Sequence, residues 1–384
     1  MNFEFATATR ILFGPGTFEQ TAETARTLGN KALLVTGRNP DRAARLRDQL
    51  TRQTLAFANF QVATEPTTDL VREGATTARE AGCDFVIGIG GGSVLDGAKA
   101  IAALMTNPGD PLEYLEVVGQ GKPLRSAPAP WIAIPTTAGT GSEVTKNAVI
   151  QEPNHRVKVS LRSPLLFARL AIIDPELTLD LPPALTASTG LDALTQLIEP
   201  YVCARANPMT DAFCVEGIRR CARSLRRCFD SGTDLEARTD MALASLFGGL
   251  ALANSGLGAV HGFAAPLGGA FTAPHGAVCA ALLPHVMTLN LKALRERDPN
   301  NAALDRFRQI AVLLTGNPQA DAGEGIQWVE SLTRHLEIPS LQNYGIGPGD
   351  FPDLIQKSAR ASSMKANPIS LTSGELEEIL RRAL

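Results

Sequence analysis

The sequence predicts an α/β dinucleotide-binding domain at the N-terminus, followed by an all-α helical domain at the C-terminus. Three observations carry this. Over the first half, short apolar runs alternate with amphipathic stretches, the mark of a largely parallel sheet covered by helices. Two of the expected strands end in glycine- or threonine-rich loops, Gly90-Gly91-Gly92-Ser93 and residues 135–143. After Leu181-Pro182-Pro183 the strand signals vanish and Ala, Leu and Arg recur at helical period. The boundary therefore falls at Pro182, giving domains over residues 1–182 and 183–384, each long enough for its own core.

Taken in order, residues 9–13 read as an opening strand closed by the Gly14-Pro15-Gly16 turn, with a helix from Thr17. Residues 32–36 form a buried strand, 41–53 a helix, 55–60 a weaker strand and 68–81 a helix. The run 84–89 is a clear strand that enters the glycine turn, and 94–105 is the helix beyond it. Residues 107–130, rich in Pro and Gly, are a connection with one short helical turn. Residues 131–134 resume the sheet, and strand-like pieces follow near 148–150, 158–161 and 170–173. Helical periods then cover 184–203, 208–229, 233–254, 277–297, 302–315, 323–336 and 373–384.

Composition narrows the function classes. Net charge is -3, with 36 basic against 39 acidic residues, which offers nothing to nucleic acid or an anionic membrane. No apolar run stands out as membrane-spanning, and no basic-then-apolar leader opens the chain, so a cytoplasmic protein is expected. The six cysteines form no C-x-x-C pair. Cys214, Cys221 and Cys228 make one helical stripe, read as packing. Cys279 follows His275 by four, within reach of any site there, although packing is the plainer reading.

The chemistry-bearing residues lie in both halves. Gly91, Gly92 and Ser93 open a helix at a strand end, where backbone N–H groups and the helix dipole favour a phosphate. The run is not G-x-G-x-x-G, because Ser93 stands where the last glycine would be. Asp96 and Lys99 on that helix either contact a cofactor or pair with each other. Thr136, Thr137, Thr140 and Ser142 form a second polar loop at a strand end, and two such loops favour a dinucleotide. After the second strand, Gly37 and Arg38 stand where an NAD-selective protein carries an acidic residue, which favours NADP over NAD. In the helical half, Asp192 and Gln196 share one helix face, and His261 and His275 are candidates to share a divalent metal with Asp192.

Together these segments resemble the iron-containing, metal-dependent alcohol dehydrogenase family over essentially the whole chain. The resemblance rests on Phe13-Gly14-Pro15-Gly16, on Gly90-Gly91-Gly92-Ser93 with Asp96 and Lys99, and on residues 135–143. It continues through Asp174-Pro175, Asp192-Ala193-Leu194, His261-Gly262 and Pro274-His275-Gly276. It implies NAD(P) on the glycine run and threonine loop, with Lys158 at the cofactor ribose. It also implies a metal (Fe2+, or Zn2+ or Mn2+) held by an Asp and three His, of which Asp192, His261 and His275 match three.

Two positions depart from the pattern. Gln196 stands where the family has its further His ligand; its carbonyl is a weaker, neutral donor. Ala265 stands where many members carry a proton-transferring His. The resemblance implies an NAD(P)-dependent alcohol dehydrogenase or aldehyde reductase using the metal as a Lewis acid, acting on a small alcohol or aldehyde. The alternatives are a maleylacetate reductase-like ketone reductase, a non-redox dehydroquinate-synthase-like lyase, and a metal-free binding protein. A homodimer through the N-terminal strand is also expected.

Overall fold

The computed structural model describes residues 2–384; Met1, the first residue of the expected first domain, lies outside them. The described residues form two compact units. One comprises residues 6–137 and 141–178, the other residues 2–5, 138–140 and 179–384. The main segment of the helical unit begins at Leu179, three residues ahead of Pro182. The tripeptide 138–140, inside the expected first domain, groups with the helical unit.

The α/β unit holds a six-stranded parallel sheet: β1 (Ile11–Phe13), β2 (Lys31–Thr36), β3 (Ala56–Gln61), β4 (Phe85–Gly90), β5 (Trp131–Pro135) and β8 (Leu170–Ile173). Their spatial order is β1-β8-β5-β4-β2-β3. β6 (Asn147–Glu152) and β7 (Val157–Arg162) form a separate antiparallel pair. Central strands β2 and β4 are apolar without alternation, Leu33-Leu34-Val35 and Phe85-Val86-Ile87, because both faces of a parallel sheet are covered. The chain runs outward from β2 to β3, then returns to β4 on the other side of β2 and continues to β5. That reversal, between the carboxyl ends of β2 and β4, is the place where open α/β sheets bind ligands.

Helices α1 (Thr21–Ala25), α2 (Ala44–Arg52), α3 (Thr68–Glu80), α4 (Gly92–Thr106) and the single turn α5 (Pro111–Tyr114) complete the unit. α4 starts two residues earlier than the apolar period suggests, directly on the glycine run. A Cβ on Gly90 would lie 2.5 Å from the Val94 side chain, so the tight strand-to-helix turn requires glycine there.

The helical unit contains α6 (Pro183–Val202), α7 (Pro208–Asp230), α8 (Leu235–Asn254), α9 (Ala259–Ala270) and α10 (His275–Arg297). α11 (Ala303–Thr315), α12 (Ala322–His335), α13 (Phe351–Arg360) and α14 (Ser373–Arg382) follow. Two of these, α9 and α13, are not evident in the sequence. α9 carries Gly262, Gly268, Gly269 and Pro266, residues that argue against a helix by propensity. It is held by burial of Val260, Phe263, Ala264 and Leu267 in the core. α10 corrects a second expectation, since by length and composition it is apolar enough to cross a membrane. Of its most apolar 18-residue stretch 83% is buried, it contains Pro284 and Asn290, and it serves as a core helix of this unit.

Candidate functional site

The site in the helical unit is built on α6. Its residues are buried almost all round from Thr186 to Val202, so the polar groups among them need partners. Asp192, Gln196 and Glu199 are spaced four and then three apart and share one face. Glu199 spends both oxygens on α9. Oε1 accepts from the Val260 backbone N–H at 2.7 Å, at the helix end where N–H groups lack internal partners. Oε2 lies 2.6 Å from His261 Nδ1. A carboxylate only accepts, so Nδ1 carries the proton and Nε2 is left as the donor atom of the ring. Asn367 steadies the same helix start, accepting from the Ala259 N–H and from Asn290 Nδ2, both at 3.1 Å.

His275 is the first residue of α10, and Cys279 stands one turn further on the same face. Gly276 sets the depth of this helix start. A Cβ there would come within 2.5 Å of the Ser188 carbonyl of α6, so only glycine lets α10 approach α6 this closely.

These elements bring four ligand atoms together, from Asp192, His261, His275 and Cys279, all within 4.8 Å of one another. Asp192 Oδ1 is 3.5 Å from His261 Nε2 and 3.7 Å from His275 Nε2. Cys279 Sγ is 3.9 Å from His261 Nε2 and 3.7 Å from His275 Nε2. Two donors bound tetrahedrally to one ion at 2.0–2.3 Å stand about 3.3–3.6 Å apart. The four separations match that within a few tenths of an ångström. Asp192 Oδ1 has no hydrogen-bond partner despite full burial, and neither has Gln196 Oε1. Buried acceptors are rarely left unpaired, and a cation here satisfies Asp192 Oδ1, with Gln196 Oε1 beside it on the same face. The residues therefore fit a divalent metal.

The surroundings attract positive charge, which protons on the imidazoles supply until a metal displaces them. Burial works against charge on all three residues, but their mutual attraction prevails. His275 is lifted to about 9, burial being outweighed by Cys279 and Asp192. His261 is raised well above the ordinary imidazole value, against burial, by Cys279, Asp192 and Glu199. The Asp192 carboxyl is held below its usual value, against burial, by the two imidazoles and Gln196.

In the α/β unit, Gly37 and Arg38 leave the carboxyl end of β2 and Gly91, Gly92 and Ser93 that of β4. Gly91 is the N-cap of α4, and Gly92 and Ser93 are its first residues. Thr136 and Thr137 follow β5, and the Thr136 N–H donates to the Gly90 carbonyl at 2.9 Å. These three loops flank the reversal between β2 and β4. The Arg38 side chain is exposed, and no ion pair holds it among the described residues.

Three expected cofactor residues have internal partners. Asp96 accepts from Ser142 Oγ at 2.5 Å and from the Val149 N–H at 3.0 Å. Lys158 pairs with Glu65 at 3.1 Å. Thr140 belongs to the tripeptide grouped with the helical unit. Lys99 is wholly buried and donates to Ser142, Thr145 and the Asn147 carbonyl at 2.6–3.1 Å.

Glu199 and Asn367 escape sequence reasoning. The available signal for Glu199 is its place seven residues after Asp192, on the face that Gln196 also shares. Cys279, read as packing, stands inside the cluster.

A doubly wound parallel sheet with a glycine-opened helix, together with an all-helical unit bearing an Asp–His–His–Cys cluster, defines a two-unit enzyme class with a metal-type site. The model of the iron-containing alcohol dehydrogenase family matches residues 8–175, and that of the C-terminal part of the same family matches 186–384. Alcohol dehydrogenase 4 of Saccharomyces cerevisiae is 37% identical over 380 residues, covering 97% of this chain and 96% of its own. A solved 1,3-propanediol oxidoreductase superposes with a TM-score of 0.91 at 34% identity, covering 100% of both chains. The sulfoacetaldehyde reductase of Bifidobacterium kashiwanohense, solved in complex with NAD+, gives 0.87 at 26% identity, covering 100% of this chain and 99% of its own. The chain belongs to the iron-containing alcohol dehydrogenase family and is an oxidoreductase acting on CH–OH groups.

Proposed function

We propose that this chain interconverts small alcohols and aldehydes with NAD(P), NADP preferred, and one divalent metal, Fe2+ or in its place Zn2+ or Mn2+. The observation that carries the reading is the pair of unpartnered buried acceptors, Asp192 Oδ1 and Gln196 Oε1, on the face where two imidazoles converge. Asp192, His261 and His275 would hold the metal, and the Gln196 carbonyl is a further donor that the same face offers. When bound, the metal supplies a Lewis acid for the substrate oxygen and NAD(P) supplies the hydride acceptor or donor.

The chain's own residues do the positioning. Glu199 keeps the proton on His261 Nδ1 and aims Nε2 inward, the usual carboxylate–histidine arrangement around metals. Ala265, one turn beyond His261 on α9, has no proton to give, so water or the cofactor ribose relays it. On the α/β unit, the N–H groups of Gly92 and Ser93 would receive a cofactor phosphate, with Thr136 and Thr137 nearby. Arg38 would face a 2′-phosphate.

Two further parts of the reading are a homodimer and a cytoplasmic location. For the first, β1 is an edge strand, open to pairing with a second copy. For the second, all six cysteines are unpaired, as in a reducing compartment.

The test is stoichiometric. With an aldehyde series, NADPH consumed should equal alcohol formed, and chelation should stop the reaction. Product without net cofactor consumption would overturn the proposal.

A further inference from the structure

Gln196 and Cys279 offer different chemistry to the same cluster. An amide carbonyl is neutral and hard, whereas a thiolate is charged and soft. Cys279 is fully buried, as packing cysteines are, yet its sulfur faces two imidazole nitrogens. Its separations from them match the edges of a tetrahedron around one ion. The Asp192 carboxylate alone offsets half of a divalent charge; a thiolate offsets the rest.

We propose that Cys279 Sγ, ahead of the Gln196 carbonyl, is the fourth protein donor beside Asp192, His261 and His275, giving a site that selects zinc or cobalt over iron. This rests on the reading that the cluster holds a metal, and concerns only its fourth donor. Binding replaces the S–H bond of Cys279 by a sulfur–metal bond and releases that proton to solvent, with no change of oxidation state. Gln196 is then a neighbour of Asp192 one turn along the same face of α6. Nitrogen and oxygen donors already bind Fe2+ less tightly than Co2+ or Zn2+, and a soft thiolate ligand widens that gap.

The experiment needs no turnover. X-ray absorption on zinc-loaded wild-type protein should show one sulfur neighbour at about 2.3 Å among nitrogen and oxygen neighbours at about 2.0 Å. Co2+ titration should give an intense near-ultraviolet thiolate band together with visible d–d bands. Cys279→Ser should lose the ultraviolet band, keep the visible bands, and bind zinc at least about 100-fold more weakly, the upper end of what outer-shell losses cost. Gln196→Ala should keep both sets of bands. Bound metal with no sulfur neighbour and no thiolate band in the wild type would overturn this assignment and leave the metal reading standing. Binding of Fe2+ without Zn2+ or Co2+ would overturn this assignment alone, and no binding of Zn2+, Co2+, Fe2+ or Mn2+ would overturn both.

Discussion

Lys99 in the α/β unit and Asp192 in the helical unit are both buried charged groups, and the two units treat them in opposite ways. Around Lys99 all is satisfied from within: its ammonium reaches four oxygens, and Asp96 closes onto Ser142 and Val149. Around Asp192 the accounting stays open, with one carboxylate oxygen and the Gln196 carbonyl unpaired beside two imidazole nitrogens. A closed buried network holds loops in place. An open one, at the same burial, waits for a ligand. The difference separates structural charge from functional charge in one chain, and it can be broken experimentally.

The largest effect should come from opening the helical cluster further. His261→Ala or His275→Ala should cost at least about ten-thousandfold in kcat, roughly 5.5 kcal/mol, with NADPH affinity within threefold. Steady-state kinetics and cofactor titration check this, and a parallel loss of cofactor binding would blur the comparison. Opening the closed network should instead lower the stability of the fold. Lys99→Met leaves Asp96 and Glu143 without their buried cation and should cost about 3–5 kcal/mol in denaturant unfolding. Its metal content should not change.

Next comes a pH effect. Burial raises the Glu143 carboxyl from 4.5 to about 7, against backbone hydrogen bonding and Lys99. The folded state thus binds this proton more tightly than the unfolded state does. The stability tied to it is full below about pH 4.5 and is lost as pH rises through about 7. Glu143→Gln should therefore gain up to about 3 kcal/mol at pH 8 and little at pH 4.5, read from urea midpoints.

Two smaller effects sharpen the picture. Glu199→Gln removes the charge that orients His261 and should weaken metal binding about 10–100-fold, with turnover partly restored by excess metal. Arg38→Ala should lower the NADPH over NADH preference about tenfold, near 1.4 kcal/mol. An unchanged ratio would remove the argument for NADP.

Much of this was legible in the sequence because it follows from local patterns. The short β-branched and aromatic run Phe85-Val86-Ile87, ended by glycines, reads as a buried strand, and the glycine turn behind it opens α4 directly. Asp192, His261 and His275 were visible as residue types that share metals. What was hidden depends on packing. α9 has a glycine–proline composition that speaks against a helix, and only burial of Val260, Phe263 and Leu267 holds it. Glu199 shows its role only once α9 brings His261 Nδ1 to it. Asp96 and Ser142, expected at the cofactor, are hydrogen-bonded to each other, which no spacing along the chain reveals. Cys279 looks like packing until two imidazoles are found beside its sulfur.

The central claim is that the open cluster on α6, α9 and α10 holds a metal ion. Elemental analysis of protein purified without chelator or oxygen tests it most directly. The account predicts close to one divalent ion per chain, absent in folded His261→Ala. No ion in the wild type, even after incubation with Fe2+, Zn2+ and Mn2+ in turn, would contradict it.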